Sequence, residues 1–501
     1  MRDQEKVGKP EEKDLSYGGG DLKKRFEEFG NKVRKQYTNN LSIKSRSRSN
    51  VDAQFNSQVE INASEDNKSN PIIISQKFID IMYYGSPEDR MKGVKFIRKL
   101  LSSPQPPIDD VLQAGLLPIL VHLMKCKSDL MQYEAAWSLT NILSGSSVHV
   151  RYVIEAGAVP CFIRLLSSSS EDVQEQCAWA IGNIAGDMDD FRIYVLELGA
   201  MYSLLQMMES TASLKLLQTG AWAVCNICIN NKDFKSISIA IPVLGRFLSH
   251  DDVDFIYNCT LALVHLSDGE ERIGQIIKNR IVPSVIKLLA NEKDCILPHL
   301  LKILVNVSLG KECDLNSLME CDVLHALMRF LDSPKESYRF KSASIVANMA
   351  LGNCQHISYI INDKLTISKI LSSIGKDTDR VCKQAVYTLR NISKRGNLEQ
   401  VLRLTEKCVI NKLCYVLTSS NASIVFAALL CLEKLLSLRE QKVEKEGAYN
   451  EVALTIEECG GLEKIEELQS HGNHEIYHKA YEIMEQYFST EELSFTERPK
   501  F

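Results

Sequence analysis

Aromatic residues are sparse in this chain. They make up 7% of its 501 residues, and only three of them are tryptophan. Neither sign of charge dominates. The formal net charge is −5, which excludes a bulk-charge grip on nucleic acid. No apolar run reaches the roughly 20 residues that a membrane-spanning helix needs. No secretory leader is evident, so the fifteen cysteines are expected to be reduced, largely buried thiols in a cytosolic or nuclear protein. Cys225 and Cys228 form a C-x-x-C, but a second pair at zinc spacing is missing, which leaves two thiols on one helix. A phosphate loop, a metal cluster and an assembled nucleophile are missing too, so no enzyme class and no cofactor is indicated. The run Asp187-Met188-Asp189-Asp190 reads as a solvated helix end rather than a cation site. Strand-like alternation is missing from about residue 71 to residue 439.

What the chain does have is a helical repeat. Hydrophobic residues at 45% and charged residues at 25% are ordinary for a soluble chain and ample for a large core. Length alone would suggest about three domains, but stacked repeats share one continuous core. Trp137 is followed four residues later by Asn141, Trp179 by Asn183, and Trp222 by Asn226. The tryptophans stand 42 and 43 residues apart, a repeat length of the armadillo type. Residues i and i+4 share a helix face, so each repeat shows an indole beside a carboxamide, and stacking turns these pairs into a ladder. A carboxamide can bond both N–H and C=O of an extended peptide. Neighbouring indoles leave slots for long aliphatic stems that end in a cation. The Asn position continues as His265, Asn306, Asn348 and Asn391, at steps of 39, 41, 42 and 43. The tryptophan position becomes Leu261, Lys302, Ser344 and Tyr387. Extending the period to Lys99 and Glu433, with a closing cap over residues 460–488, predicts about nine to ten repeats. Glycine after an apolar residue, as at Ala114-Gly115, Ala156-Gly157 and Leu198-Gly199, supplies the turns.

The predicted organisation follows from shifts in composition. Residues 1–20 read as a disordered tail, residues 21–51 as a basic segment, and residues 52–70 as a flexible linker, because such polar stretches cannot bury enough apolar area to fold alone. Residues 71–490 form the repeat array, and residues 491–501 are a second tail. In the basic segment, Leu22, Phe26, Phe29, Val33 and Tyr37 make an amphipathic helical stripe. Lys44, Arg46 and Arg48 alternate with serines and should be extended.

Several stretches resemble the importin alpha family of nuclear import adaptors. They are EAAWSLTNILSG (residues 134–145), EDVQEQCAWAIGNIAGD (171–187) and LSDGEERI (266–273). FIRKLLSSPQPPIDDVLQAG (96–115) is similar to the family's first repeat, and residues 460–488 to its last. Residues 21–51 resemble its importin-beta-binding segment. The resemblance implies an all-α fold, an armadillo-repeat, right-handed superhelical solenoid with a flexible basic N-terminal segment. It implies capture of Lys/Arg-rich nuclear localisation signals in a groove. It also implies linkage to importin beta through Lys23, Lys24, Arg25, Arg34, Lys35, Lys44, Arg46 and Arg48, and return by an export receptor of the importin-beta class with Ran-GTP. Shuttling between cytoplasm and nucleus follows, without nucleic-acid or membrane partners.

The resemblance assigns residues one by one. The family's major signal site falls on Trp137, Asn141, Gly145, Trp179, Asn183, Asp187, Trp222 and Asn226, with Asp187 meeting the ammonium of the key lysine and Gly145 offering it a carbonyl. The minor site falls on Asn306, Asn348, Tyr387 and Asn391. Some positions depart from the family. Val150 replaces a threonine near the key lysine, and Ile229 an arginine between the two sites. In the minor site, Ser344 and Tyr387 replace two tryptophans, and Lys341 and Gln384 replace two glutamates. The family's self-inhibitory Lys-Arg-Arg is diluted to Lys44-Ser45-Arg46-Ser47-Arg48-Ser49, which implies weak self-inhibition. A structural armadillo scaffold that binds extended peptides is the alternative reading. It would need a basic groove, whereas Asp187 and residues 268–271 are acidic.

Overall fold

The structure is a computed structural model, and it describes residues 59–61, 72–290, 294–405, 407–446 and 450–488. The tails and the basic segment, with all eight of its assigned cations, lie outside the described residues. Every long element is an α-helix. Local sequence sets the helix starts. Ser86 accepts a hydrogen bond from the Asp89 amide with Pro87 in the first turn, and Ser128 accepts from the Met131 amide. A side-chain oxygen at this position satisfies one of the amides that a helix start leaves without a partner.

One long helix per repeat builds the ladder. In chain order these helices are α1 (Pro87–Leu101), α2 (Asp129–Leu143), α3 (Glu171–Asp187), α4 (Leu214–Cys228) and α5 (Val253–Leu266), then α6 (Leu297–Ser308), α7 (Glu336–Met349), α8 (Asp379–Arg395), α9 (Ala422–Glu446) and α10 (His474–Tyr487). The chain divides into two compact units, at Leu266 and Ser267. Within the first, α1 to α5 pack each on the next; within the second, α6 to α10 do the same. Shorter helices flank each ladder helix and bury its outer side. The core is therefore continuous within each unit, made of residues such as Leu139, Ile181 and Val224 in the first and Ile303, Ile345 and Leu389 in the second, all fully buried.

In several repeats the turn before the second short helix passes through a left-handed residue. Gly115, Gly157 and Gly199 supply it in the first unit, with φ of 69°, 75° and 85°. In the second unit the corresponding turns fall on Arg280 (φ 54°), Asp322 (φ 52°) and Gly460 (φ 67°). A side chain with a Cβ is strained in that region by about 1–2 kcal/mol, a cost that Arg280 and Asp322 carry here and that Asn230 (φ 49°) carries elsewhere in the first unit.

One short piece of the chain is extended. Val59–Ile61 pairs antiparallel with Ile72–Ile74, in the register Val59 to Ile74, Glu60 to Ile73 and Ile61 to Ile72. This corrects the reading of residues 52–70 as linker throughout, and of the chain after residue 71 as free of strand. Both trios are rich in β-branched residues, which favour a pleated surface. Three residues are too few for an alternation pattern to stand out.

Candidate functional site

Trp137, Trp179 and Trp222 stand on α2, α3 and α4 and are 7%, 7% and 4% exposed. Burial that deep makes each indole part of the packing as well as part of the ladder face. The packing is specific. A Cβ added at Gly182 would lie 2.1 Å from Cζ3 of Trp222, and one at Gly186 would lie 3.1 Å from Nδ2 of Asn226. The glycines of α3, spaced i and i+4, are thus the seats for the indole and the carboxamide of α4. Asn226 Nδ2 donates to the Gly182 carbonyl at 3.0 Å. The Trp–Asn pair was visible in sequence, but its seat on Gly182 and Gly186 was not.

The ladder asparagines share a structural task. Asn141 Nδ2 donates to Ser102 Oγ at 3.0 Å, and Asn306 to Ser267 Oγ at 2.9 Å. Asn348 donates to Ser308 Oγ at 2.9 Å, and Asn391 to the Ala347 carbonyl at 2.9 Å. The carboxamides of Asn141, Asn226, Asn348 and Asn391 stitch their helices to the preceding repeat, and that of Asn306 ties α6 to Ser267 in its own unit. The oxygens of Asn226, Asn348 and Asn391 are buried without a partner. Asn183 is different: it is half-buried and makes no side-chain hydrogen bond to any described residue.

Asp187 ends α3 one turn beyond Asn183. Its Oδ1 accepts from Ser147 Oγ at 2.9 Å, while its Oδ2 is buried without a partner. The negative end of the helix dipole lies at the same place. Arg192 caps that end through the Ala185 carbonyl at 2.9 Å, reaches the Ile229 carbonyl at 3.1 Å and pairs with Asp189, leaving the Asp187 oxygen open. A buried carboxylate oxygen lacking a donor is costly unless one is supplied. Val150 is buried and takes no part. Ser147, one turn earlier on the helix Ser147–Glu155, brings a hydroxyl to the acid instead, which sequence reading missed. Gly145 lies two residues before Ser147. A Cβ there would meet His149 Nδ1 at 2.2 Å, so the turn admits only glycine. His149 is itself fixed by the Ser146 amide and by Asp109, each at 3.0 Å.

The protein already places its own cations on this face. The Arg98 guanidinium lies 4.6 Å from the centre of the Trp137 ring, and its Nε donates to Glu134 at 2.8 Å with both side chains buried. Lys215 Nζ meets Glu175 at 2.5 Å. Burial, with the charge of Asp172 adding to it, pushes the Glu175 carboxyl up to about 8, and burial pulls the Lys215 ammonium down to about 8. An indole face and acids that hold internal cations are chemically suited to external ones.

In the second unit the ladder is changed. Lys302 is buried at a tryptophan position, and its pKa is lowered by burial against the opposing pull of Asp268. Ser344 Oγ bonds back to the Phe340 carbonyl at 2.7 Å. Lys341 Nζ donates to the Pro298 carbonyl at 3.2 Å. The Lys383 ammonium lies 5.5 Å from the centre of the Tyr387 ring, and Gln384 is buried. Asn306, Asn348, Tyr387 and Asn391 are thus on successive ladder helices, but without the acids and indoles that accompany the first three pairs.

Two armadillo/beta-catenin-like repeats match residues 104–144 and 146–186, and an atypical armadillo repeat matches residues 450–499. Rice importin subunit alpha-1b is 34% identical over 80% of this chain and 77% of its own. Importin subunit alpha-4 of Arabidopsis thaliana is 31% identical over 82% of this chain and 78% of its own. The chain belongs to the importin alpha family. That family is one of nuclear import adaptors, proteins that bind and transport rather than catalyse. The crystal structure of an engineered protein, 23% identical, superposes with a TM-score of 0.68 over 82% of this chain and 97% of that one. The fold is the all-α armadillo-repeat solenoid. Among the described residues no group of three or more His, Cys, Asp or Glu could hold a metal ion, and no helix is long and apolar enough to cross a membrane. Cys225 and Cys228 are buried on α4, and burial raises the Cys225 thiol well above its usual range.

Proposed function

We propose that this importin alpha relative captures Lys/Arg-rich nuclear localisation signals along the ladder of α2 to α4. It then links cargo to importin beta through residues 21–51. The observation that carries the reading is the group at the end of α3, where Asp187 has a buried oxygen without a donor beside the uncommitted Asn183. A lysine ammonium there would complete a charge-assisted hydrogen bond, and the Asn183 amide would hold the peptide backbone on either side. The neighbouring indoles would cover the aliphatic stem. Ser147 serves in place of the family's threonine by orienting the carboxylate. Release by Ran-GTP and return by an importin-beta-class export receptor would make the protein shuttle between cytoplasm and nucleus. Lys44, Arg46 and Arg48, spaced by serines, would compete only weakly with cargo as a tethered ligand.

The test is a calorimetric titration of the full chain with a lysine-rich monopartite signal peptide, alongside capture of importin beta. Binding at about 1 μM or tighter is expected, together with loss of importin beta when residues 21–51 are removed. A peptide that fails to bind at about 100 μM, roughly −5.5 kcal/mol, would contradict the signal site. Importin beta capture that survives the deletion would contradict the linkage.

A further inference from the structure

Cations recur on the ladder side of the second unit. Lys383, Tyr387, Arg390 and Lys394 fall at helical spacing along one stripe of α8, and α9 adds Lys434. Three of these cations, Arg390, Lys394 and Lys434, line a cavity of about 630 Å³ formed by α8, α9 and α10, together with Phe426, Leu430 and Tyr487. One acid lines it, Glu433, and its carboxylate already accepts from Lys479 at 3.0 Å. Arg390 and Lys434 make no side-chain hydrogen bond or ion pair to any described residue. A guanidinium and an ammonium on the wall of a half-apolar cavity gain most from an anion that can follow them out of water. Phe426 and Leu430 gain from an apolar side chain in the same place. The volume lies within the range of small-ligand pockets, roughly 300–1,000 Å³, which suits a few residues of extended chain and not a folded domain.

We propose that this cavity docks an acidic peptide segment of a partner protein, with carboxylates on either side of one apolar or aromatic residue. The carboxylates pair with Arg390 and Lys434, and the apolar side chain rests on Phe426 and Leu430. Arg390 is the better anchor, because its planar fork donates two parallel hydrogen bonds to a carboxylate. Nucleic acid fits less well. Its affinity depends on cations spaced along a phosphate backbone, whereas here they surround an apolar patch. The sign of the cavity is opposite to that of the Asp187 group on α3, so the two suit ligands of opposite charge.

The probe is a fluorescein-labelled peptide, Glu-Glu-Phe-Glu-Glu, read by anisotropy with the full chain at low and raised salt. The native protein should bind it, more weakly as salt rises, and a Lys-for-Glu version should not compete. Arg390→Glu with Lys434→Glu should weaken binding at least tenfold. The lysine-rich signal peptide should still bind within about twofold, which also shows that the variant is folded. The milder pair, Arg390→Gln with Lys434→Gln, should lose several-fold. The proposal is overturned if the native chain does not bind the acidic peptide, or if both pairs of substitutions leave its affinity unchanged. It is also overturned if a single-stranded oligonucleotide binds at least as tightly and is lost with the same substitutions. If the peptide binds only once residues 489–501, which include Glu491 and Glu492, are removed, the cavity belongs to the chain's own end and the partner is excluded.

Discussion

The two units keep the same asparagines and differ in almost everything beside them. In the first unit Asn141 and Asn226 accompany indoles, a Gly182/Gly186 seat and the acids Glu134, Glu175 and Asp187. In the second, Asn306, Asn348 and Asn391 accompany Lys302, Ser344 and Lys341. The Nδ2 of each ties its helix to a residue about 40 positions earlier in the same unit. The asparagine persists because the solenoid needs it, and it is a poor marker of a binding site on its own. The indoles and acids are the better markers, since the second unit folds without them.

The largest expected difference between the units is in packing. Trp222→Ala should destabilise the protein by about 3–5 kcal/mol, the usual cost of emptying a buried aromatic site. Ser344→Ala at the equivalent place should change stability by less than about 1 kcal/mol, because the hydroxyl only bonds back to its own helix. Denaturation midpoints of the full chain compare the two. Similar losses would mean that the indole is not what distinguishes the units.

Next comes the acid. Asp187→Lys should remove most affinity for a monopartite lysine-rich signal, about 2–5 kcal/mol, by placing repulsion where a partner is wanted. A change below about threefold in calorimetry, near 0.65 kcal/mol, would remove Asp187 from the site. The reciprocal experiment rebuilds the second unit. Lys341→Glu, Ser344→Trp and Gln384→Glu together should give bipartite signals an advantage over monopartite ones of about tenfold, or 1.4 kcal/mol, that the native chain lacks. A native chain that already prefers bipartite peptides by that factor would show the minor site to be intact.

The smallest effect concerns Lys302. Its folded-state pKa is lowered, chiefly by burial. A depressed lysine costs stability at neutral pH, and the cost fades as pH rises through the folded pKa toward the ordinary value near 10.4. Lys302→Met should therefore raise the melting temperature at pH 7, with the advantage shrinking by pH 10. A benefit that stayed constant with pH would point to packing instead of charge.

Much of this was legible in the chain. The 42-residue period, the helical stripes and the glycine turns follow from local chemistry, because a repeat that cannot bury its apolar face alone must stack on the next. The Trp–Asn pairs and the position of Asp187 at a helix end were equally plain. The short pairing of Val59–Ile61 with Ile72–Ile74 was not, since three residues carry too little pattern. Tertiary structure alone decided which groups are spent and which are available. It committed the amides of Asn141, Asn226, Asn306, Asn348 and Asn391 to neighbouring repeats and left Asn183 open. It laid Arg98 on Trp137, gave Ser147 to Asp187, and brought Arg390 and Lys434 to one cavity from separate helices. Those pairings join residues roughly 40 positions apart, and a periodic sequence states that such positions are neighbours without stating which atoms meet.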